Sequence, residues 1–197
     1  MNFLAHLYLS GNNQGIKVGN FIGDFVKGAD IFNYPRSIQD GIRLHRAIDE
    51  YTDSHEVVLE SKKRLRARHS HFSPVIVDIF YDHFLASLWN DYHDDELISF
   101  AHNSYKLLEN HEEFLPSKTK HMLPYMVEQD WLTSYAEIEG IRRVMHGMSR
   151  RSSFSNKIDS SVDDLLKDYE LYKTEFQLFF PDLIDFTKKY MIKKRIT

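Results

Sequence analysis

His45, Asp49 and Asp53 stand four residues apart in GIRLHRAIDEYTD (residues 41–53), and about thirty residues downstream Asp82 and His83 interrupt the apolar run FYDHFL (residues 80–85). On a helix, a spacing of four repeats one face, so the first three side chains form a ladder. Imidazoles and carboxylates on two facing helices are how a helical protein converges lone pairs on a divalent cation. The chemistry this predicts is metal-assisted hydrolysis. Asp24, flanked by Gly23 and Phe25 in an otherwise apolar segment, is expected to be partly buried and in need of a partner, which makes it a further ligand candidate. His6 interrupts MNFLAHL, where two readings stay open: a residue reaching the metal, or an interior histidine bonded to backbone. There is no cysteine, so any ligand must be imidazole or oxygen.

The elements that must position these residues read as helices throughout, since apolar residues recur at helical spacing and no alternating run bounded by turns appears. Phe3, Leu4 and Leu7 predict a short first helix broken by Gly11 to Gly15. Val18, Phe21, Ile22 and Phe25 mark a second, ending near Gly28. Pro35 sets the start of a third, from about Arg36 to Asp53, and a basic helix follows from about Glu56 to Arg68. Ser73-Pro74 reads as a cap and first-turn proline for the helix that carries Asp82 and His83. Asp94 is expected to cap the next helix, and Ser134 with Glu137 to form a capping box. Residues 152–155 read as a loop, Ser160 or Ser161 as the cap of a long aromatic helix, and Pro181 as the start or kink of a last one. Six of the eight glycines lie within the first 41 residues, and Gly19 and Gly23 would let another helix approach beside Asp24. The expected fold is a single all-α domain over residues 1–197.

Composition narrows the function classes. Apolar residues make up 42% of the 197-residue chain and aromatics 14%, enough to pack a core. Net charge is −4, which argues against nucleic acid as a partner. The apolar start MNFLAHLYLS lacks a basic leader and a small-residue cleavage site, and no run of about 18 apolar residues follows, so the expectation is a cytoplasmic protein without membrane insertion. Basic residues cluster nevertheless, at Lys62 to Arg68, at Arg142, Arg143, Arg150 and Arg151, and at Lys188 to Arg195. Taken singly, such clusters are solvated helix ends; together they suit an acidic partner.

Four segments give the chain a resemblance to the bacterial acyl carrier protein phosphodiesterases: MNFLAHL at residues 1–7, residues 19–28 around Asp24-Phe25, LHRAID with Thr52-Asp53, and Asp82-His83-Phe84-Leu85 followed by Trp89. Gly147-Met148 with Arg150-Arg151 adds a fifth. The resemblance implies removal of 4′-phosphopantetheine from holo acyl carrier protein, with a Mn²⁺ or Mg²⁺ requirement, in a helical fold distantly like that of HD-domain phosphohydrolases. In this chain the adjacent pair reads Asp-His, the reverse of that family's His-Asp. The expected ligand set is Asp24, His45, Asp49, Asp82 and His83, or their hydrogen-bonded support; imidazole favours Mn²⁺ over Mg²⁺. Arg46 would neutralise the phosphate, and Asp53 would orient a histidine or act as general base. Acyl carrier proteins are small and acidic, so Lys63, Arg64 and Arg66, then Arg150 and Arg151, are the expected docking surface. The alternative enzyme is a metal phosphohydrolase acting on a nucleotide or other small phosphodiester. A metal-storing bundle is disfavoured because paired Glu-x-x-His motifs are missing.

Overall fold

The computed structural model describes residues 1–151 and 158–196, and only the backbone of Arg150 and Arg151; the expected loop at 152–155 and the docking role of those two arginines lie outside the described residues. The helices run α1 Phe3–Tyr8, α2 Gln14–Ile22, α3 Arg36–Ser54, α4 Glu56–His69, α5 Ser73–Ser87, α6 Leu97–Glu109, α7 Ser117–Glu128, α8 Trp131–Ser134, α9 Ile138–Arg151, α10 Ser161–Lys167 and α11 Tyr169–Lys194. Short 3₁₀ turns join several of them, and no strand occurs among the described residues, as the all-α expectation requires. No helix among these residues is long and apolar enough to cross a membrane.

α5 is the centre of the bundle. Its residues from Ile76 to Ala86 are buried apart from Asp78, and α1, α4, α9 and α11 pack around it. A helix apolar on every side has no preferred outward face, so it can be stable only when neighbours cover all of it. α3 is the opposite case: Ile38, Ile42, His45, Ile48 and Thr52 form one buried stripe, while Arg46, Glu50 and Asp53 face solvent.

α2 lies directly on α3. A Cβ at Gly19 would stand 2.1 Å from the carbonyl oxygen of Ile38, and one at Gly41 would stand 2.3 Å from that of Ile16. The two glycines therefore set how closely the helix backbones approach.

Several local expectations shift. α2 stops at Ile22 rather than near Gly28, and a 3₁₀ turn over Gly23–Phe25 carries the chain across the ring of His45. α5 begins at Ser73 itself, whose hydroxyl donates to the Ser70 carbonyl at 2.8 Å instead of accepting from the helix. α6 starts after Glu96 rather than Asp94, and the Ser134 hydroxyl donates to the carbonyl of Trp131, so no capping box forms. The long aromatic helix divides at Asp168 into α10 and α11, and Pro181 lies inside α11.

The basic helix α4 is neutralised more than its composition suggests. Arg64 forks onto Glu175 of α11 at 2.9 and 2.6 Å and lies over the ring of Tyr172, and Ser61 donates to the same carboxylate while accepting from Tyr81. Lys62 pairs with Asp53, Lys63 with Glu60, and Arg68 with Asp164. Arg64 thus ties α4 to α11, and a docking partner would have to strip it from a half-buried bidentate carboxylate.

Replacing Gly by Ala inside a helix ordinarily stabilises by about 0.5–1 kcal/mol. Gly41→Ala is expected to do the reverse, costing about 1–3 kcal/mol as a backbone contact is forced open. A urea midpoint at or above the wild-type value would show that α2 and α3 can separate without penalty.

Candidate metal centre

α1, α2 and α3 bring His6, His45 and Asp49 together so that one ligand atom from each lies within 4.8 Å of the others. His6 Nε2 is 3.2 Å from Asp49 Oδ1, and His45 Nε2 is 3.0 Å from Asp49 Oδ2. Asp24, on the turn after α2, places Oδ1 3.2 Å from His45 Nε2. The two imidazoles stack with centroids 4.0 Å apart. Asp24 is not partly buried as its neighbours suggest; its side chain is 72% exposed and forms the open side of the cluster.

Asn20 holds both rings. Its amide NH₂ donates to the His6 carbonyl and to Ser10 Oγ, which leaves its Oδ1 to accept from His6 Nδ1–H at 2.8 Å; its backbone carbonyl accepts from His45 Nδ1–H, also at 2.8 Å. With both Nδ1 atoms donating away, both Nε2 atoms face the carboxylates. A hydrogen bond to the outer nitrogen is what fixes the tautomer of a metal-binding histidine. Gly23 makes room for this, since a Cβ there would lie 2.2 Å from His45 Cγ.

The electrostatics favour the charged forms of His45 and Asp49. Burial works against the His45 cation, but hydrogen bonds to Asp24 and Asp49 overcome it and lift its pKa to about 9. Burial likewise opposes the Asp49 anion, yet the hydrogen bond from His45, with the adjacent His6 ring and the N-terminal ammonium, holds it well below the usual carboxylate range. Burial, then the neighbouring His45, keep His6 neutral by lowering its pKa. His6 Nε2 is buried and makes no properly angled hydrogen bond. Two imidazoles with their Nδ1 atoms tied back, one ionised carboxylate between them and a second at the opening fit a hard or borderline divalent ion held by nitrogen and oxygen, which on binding would displace the proton that His45 Nε2 otherwise holds at neutral pH.

Asp82 and His83, expected as ligands or their hydrogen-bonded support, lie outside this cluster. Neighbouring residues on a helix point about 100° apart, and here they serve different partners. Asp82 accepts from the N–H groups of Asn2 (3.2 Å), Leu4 (2.8 Å) and Ala5 (3.4 Å), taking up the free donors at the start of α1, where Asn2 offers no side-chain cap of its own. His83 donates from Nδ1 to the Tyr135 carbonyl at 2.7 Å and accepts at Nε2 from Tyr169 at 2.9 Å. Asp82 thereby positions α1, and with it His6.

Asp53 is also displaced. Each step of four residues overshoots a helical turn by about 40°, so two steps carry Asp53 well away from His45, and it pairs at the surface with Lys62 at 2.5 Å. Arg46 stays at the rim, exposed, with Nη2 donating to the Val26 carbonyl at 3.0 Å.

His6, left open between two readings, is interior, with one nitrogen tied to a side-chain amide rather than to backbone and the other facing Asp49. Asn20 is the residue that sequence reasoning missed. Its signal was a lone amide in the apolar run VGNFIGDF (residues 18–25).

A cavity of about 500 Å³ adjoins the cluster, bounded by Phe3, Phe25, Ile79, Trp131, Val144 and Met148. Asn2 and Phe3 line both the cavity and the small cleft over His6 and His45.

Calorimetric titration with Mn²⁺ checks the ligand set. His45→Ala and Asp49→Asn are expected to abolish binding, Asn20→Ala to weaken it about 10–100-fold, and His83→Gln to leave it intact; loss in His83→Gln with retention in His45→Ala would return the site to α5. Asp82 carries a pH signature of its own. Burial pushes its pKa up to about 7, against the pull of the three N–H groups, while in the unfolded chain it titrates near ~3.9. Between about pH 4 and 7 the folded state therefore keeps a proton that the unfolded state has released, so this group's contribution to stability falls as pH rises through that window. Urea midpoints at pH 5 and pH 8 should differ less in Asp82→Asn than in the wild type, by on the order of a few kcal/mol in unfolding free energy; identical differences would refute it.

A family model described as acyl carrier protein phosphodiesterase matches residues 1–183. A protein of that name from Photorhabdus laumondii subsp. laumondii is 31% identical over 191 residues, covering 94% of each chain. One from Klebsiella pneumoniae subsp. pneumoniae is 32% identical over 188 residues, 93% of this chain and 96% of the relative. Another, from Enterobacter sp., is 31% identical with the same coverage. No solved structure gives a significant match. With the matched region spanning every residue of the His6, Asn20, Asp24, His45 and Asp49 cluster, the chain belongs to the acyl carrier protein phosphodiesterase family.

Proposed function

We propose that this protein hydrolyses the phosphodiester between 4′-phosphopantetheine and the serine of an acyl carrier protein, releasing the apo carrier and free 4′-phosphopantetheine, with Mn²⁺, or Mg²⁺, held by His6, His45, Asp49 and Asp24. The observation that carries this reading is the large apolar cavity opening beside the imidazole and carboxylate cluster. Its walls share Asn2 and Phe3 with the cleft, so a diester placed at the cluster can send one long, largely uncharged substituent inward while the other end stays in solvent. A pantetheine arm beginning with a gem-dimethyl group suits such walls.

Water adds to phosphorus as the bond from phosphorus to the serine oxygen breaks, and the leaving alkoxide takes up a proton. A bound divalent ion would supply charge neutralisation at the phosphoryl oxygens and a hydroxide at neutral pH. The chain's own residues do the rest. Asn20 keeps both histidines with Nδ1 tied back and Nε2 facing inward. Asp24 is held below the ordinary carboxylate range by its hydrogen bond with His45, so at neutral pH it accepts protons or binds a cation and does not donate. Arg46, whose present acceptor is a single carbonyl, can turn to the phosphoryl oxygens as a two-pronged donor.

Intact mass of holo acyl carrier protein, incubated with the protein and Mn²⁺ or with chelator, tests this. Conversion to the apo mass with metal only, and at least about 100-fold slower conversion by Asp49→Asn, is expected. Unchanged holo carrier alongside hydrolysis of a small diester would move the activity to the alternative substrate class.

A further inference from the structure

We propose that the segment 26–33, with Phe32 as apolar anchor and Lys27 as its charge, is the surface on which the acidic carrier protein docks; this rests on the function proposed above and replaces α4 as the docking element. The diester has two ends. If the arm lies in the cavity behind Phe3 and Phe25, the protein end must leave through the open side, which is formed by Asp24 at 72% exposure. The chain that follows Asp24 is therefore the first surface a carrier meets.

That segment is pinned and presented. Val26 is buried and its carbonyl accepts from Arg46, Ile31 is buried, and the 3₁₀ turn Gly28–Asn33 spans the stretch beyond Lys27. Between and beyond the two anchors, Lys27, Gly28, Ala29, Asp30, Phe32 and Asn33 face solvent. Phe32, at 70%, is the most exposed phenylalanine or tyrosine among the described residues. An exposed aromatic on a held backbone is the usual anchor of a protein interface, and surrounding charge selects the partner.

The two surfaces differ in how their cations are paired. Lys27 makes no ion pair among the described residues, and Arg46 is bonded to a carbonyl, not a carboxylate. On α4, Lys62, Lys63, Arg64 and Arg68 all have carboxylate partners, leaving Arg66. Asp30 is the one carboxylate within the segment. An exposed, unpaired lysine three residues after Asp24, with Arg46 bonded to Val26 between them, complements both the phosphodiester and an acidic carrier.

The test uses the full chain and fluorescently labelled apo acyl carrier protein, which binds without being cleaved, so that docking is read apart from turnover. Fluorescence anisotropy is expected to show Kd weakened at least about tenfold by Phe32→Ala and by Lys27→Glu, with the salt dependence reduced in the latter. Lys63→Glu and Arg66→Glu should leave Kd unchanged. With holo carrier and Mn²⁺, the first two variants should raise KM while kcat and hydrolysis of bis(p-nitrophenyl) phosphate stay at wild-type values. Equal Kd in Phe32→Ala, Lys27→Glu and wild type overturns the proposal, as does weakening confined to the α4 variants. A wild type that binds the carrier through Phe32 but never converts the holo form would overturn the phosphodiesterase reading while supporting this surface.

Discussion

Everything at the cleft depends on how closely α2 can lie on α3. Glycine at 19 and 41 lets the two backbones meet, and glycine at 23 lets the chain pass over the His45 ring. Only at that separation does the Asn20 carbonyl reach His45 Nδ1 while its side chain reaches His6. One amide residue thus orients two imidazoles from two different helices. The arrangement is rigid because each group in it is buried and each has few alternatives: a buried carbonyl or imidazole N–H that loses its partner costs the full desolvation of that group.

The same economy explains α5. A helix surrounded on all sides has little tolerance for polar side chains, and the two adjacent ones it carries are both satisfied, in different directions. Asp82 supplies an N-terminal cap that the sequence of α1 lacks, and His83 bridges the Tyr135 carbonyl and the Tyr169 hydroxyl. A six-residue helix such as α1 is too short to hold itself together in water. Its order comes from burial of Leu4, Ala5 and Leu7 and from the carboxylate at its start, and the position of His6 follows.

Charge is distributed to match this division between interior and rim. Carboxylates that meet cations across helices, as Glu175 and Asp164 do, tie α4 to α11 and α10 and leave little free charge on that side. Around the cleft the order is reversed: Asp24 and Asp49 face the histidines, and Arg46 and Lys27 stand outside them without carboxylate partners. The cavity behind Phe3 adds an apolar direction to this polar opening, which is what distinguishes a site for a long-armed diester from one for a small phosphate ester.

What the amino-acid sequence determined by itself was local. Prolines and 3.6-residue periodicity mark most helix starts and the all-α class, because those signals act within one turn of the residues that carry them. The pairing of His45 with Asp49 is legible for the same reason, being one turn apart on a single helix. Asp53 marks where that reasoning ends, since the ladder drifts around the helix with each step. The convergence of His6, Asn20 and Asp24 on His45 was decided only by the packing of three helices. Whether a buried Asp is a ligand or a cap depends on what lies opposite, and on a helix apolar all round the sequence carries no facing direction. Arg64 belongs to the fold for the same reason: its partner Glu175 is 111 residues away, and only the tertiary structure puts a carboxylate there.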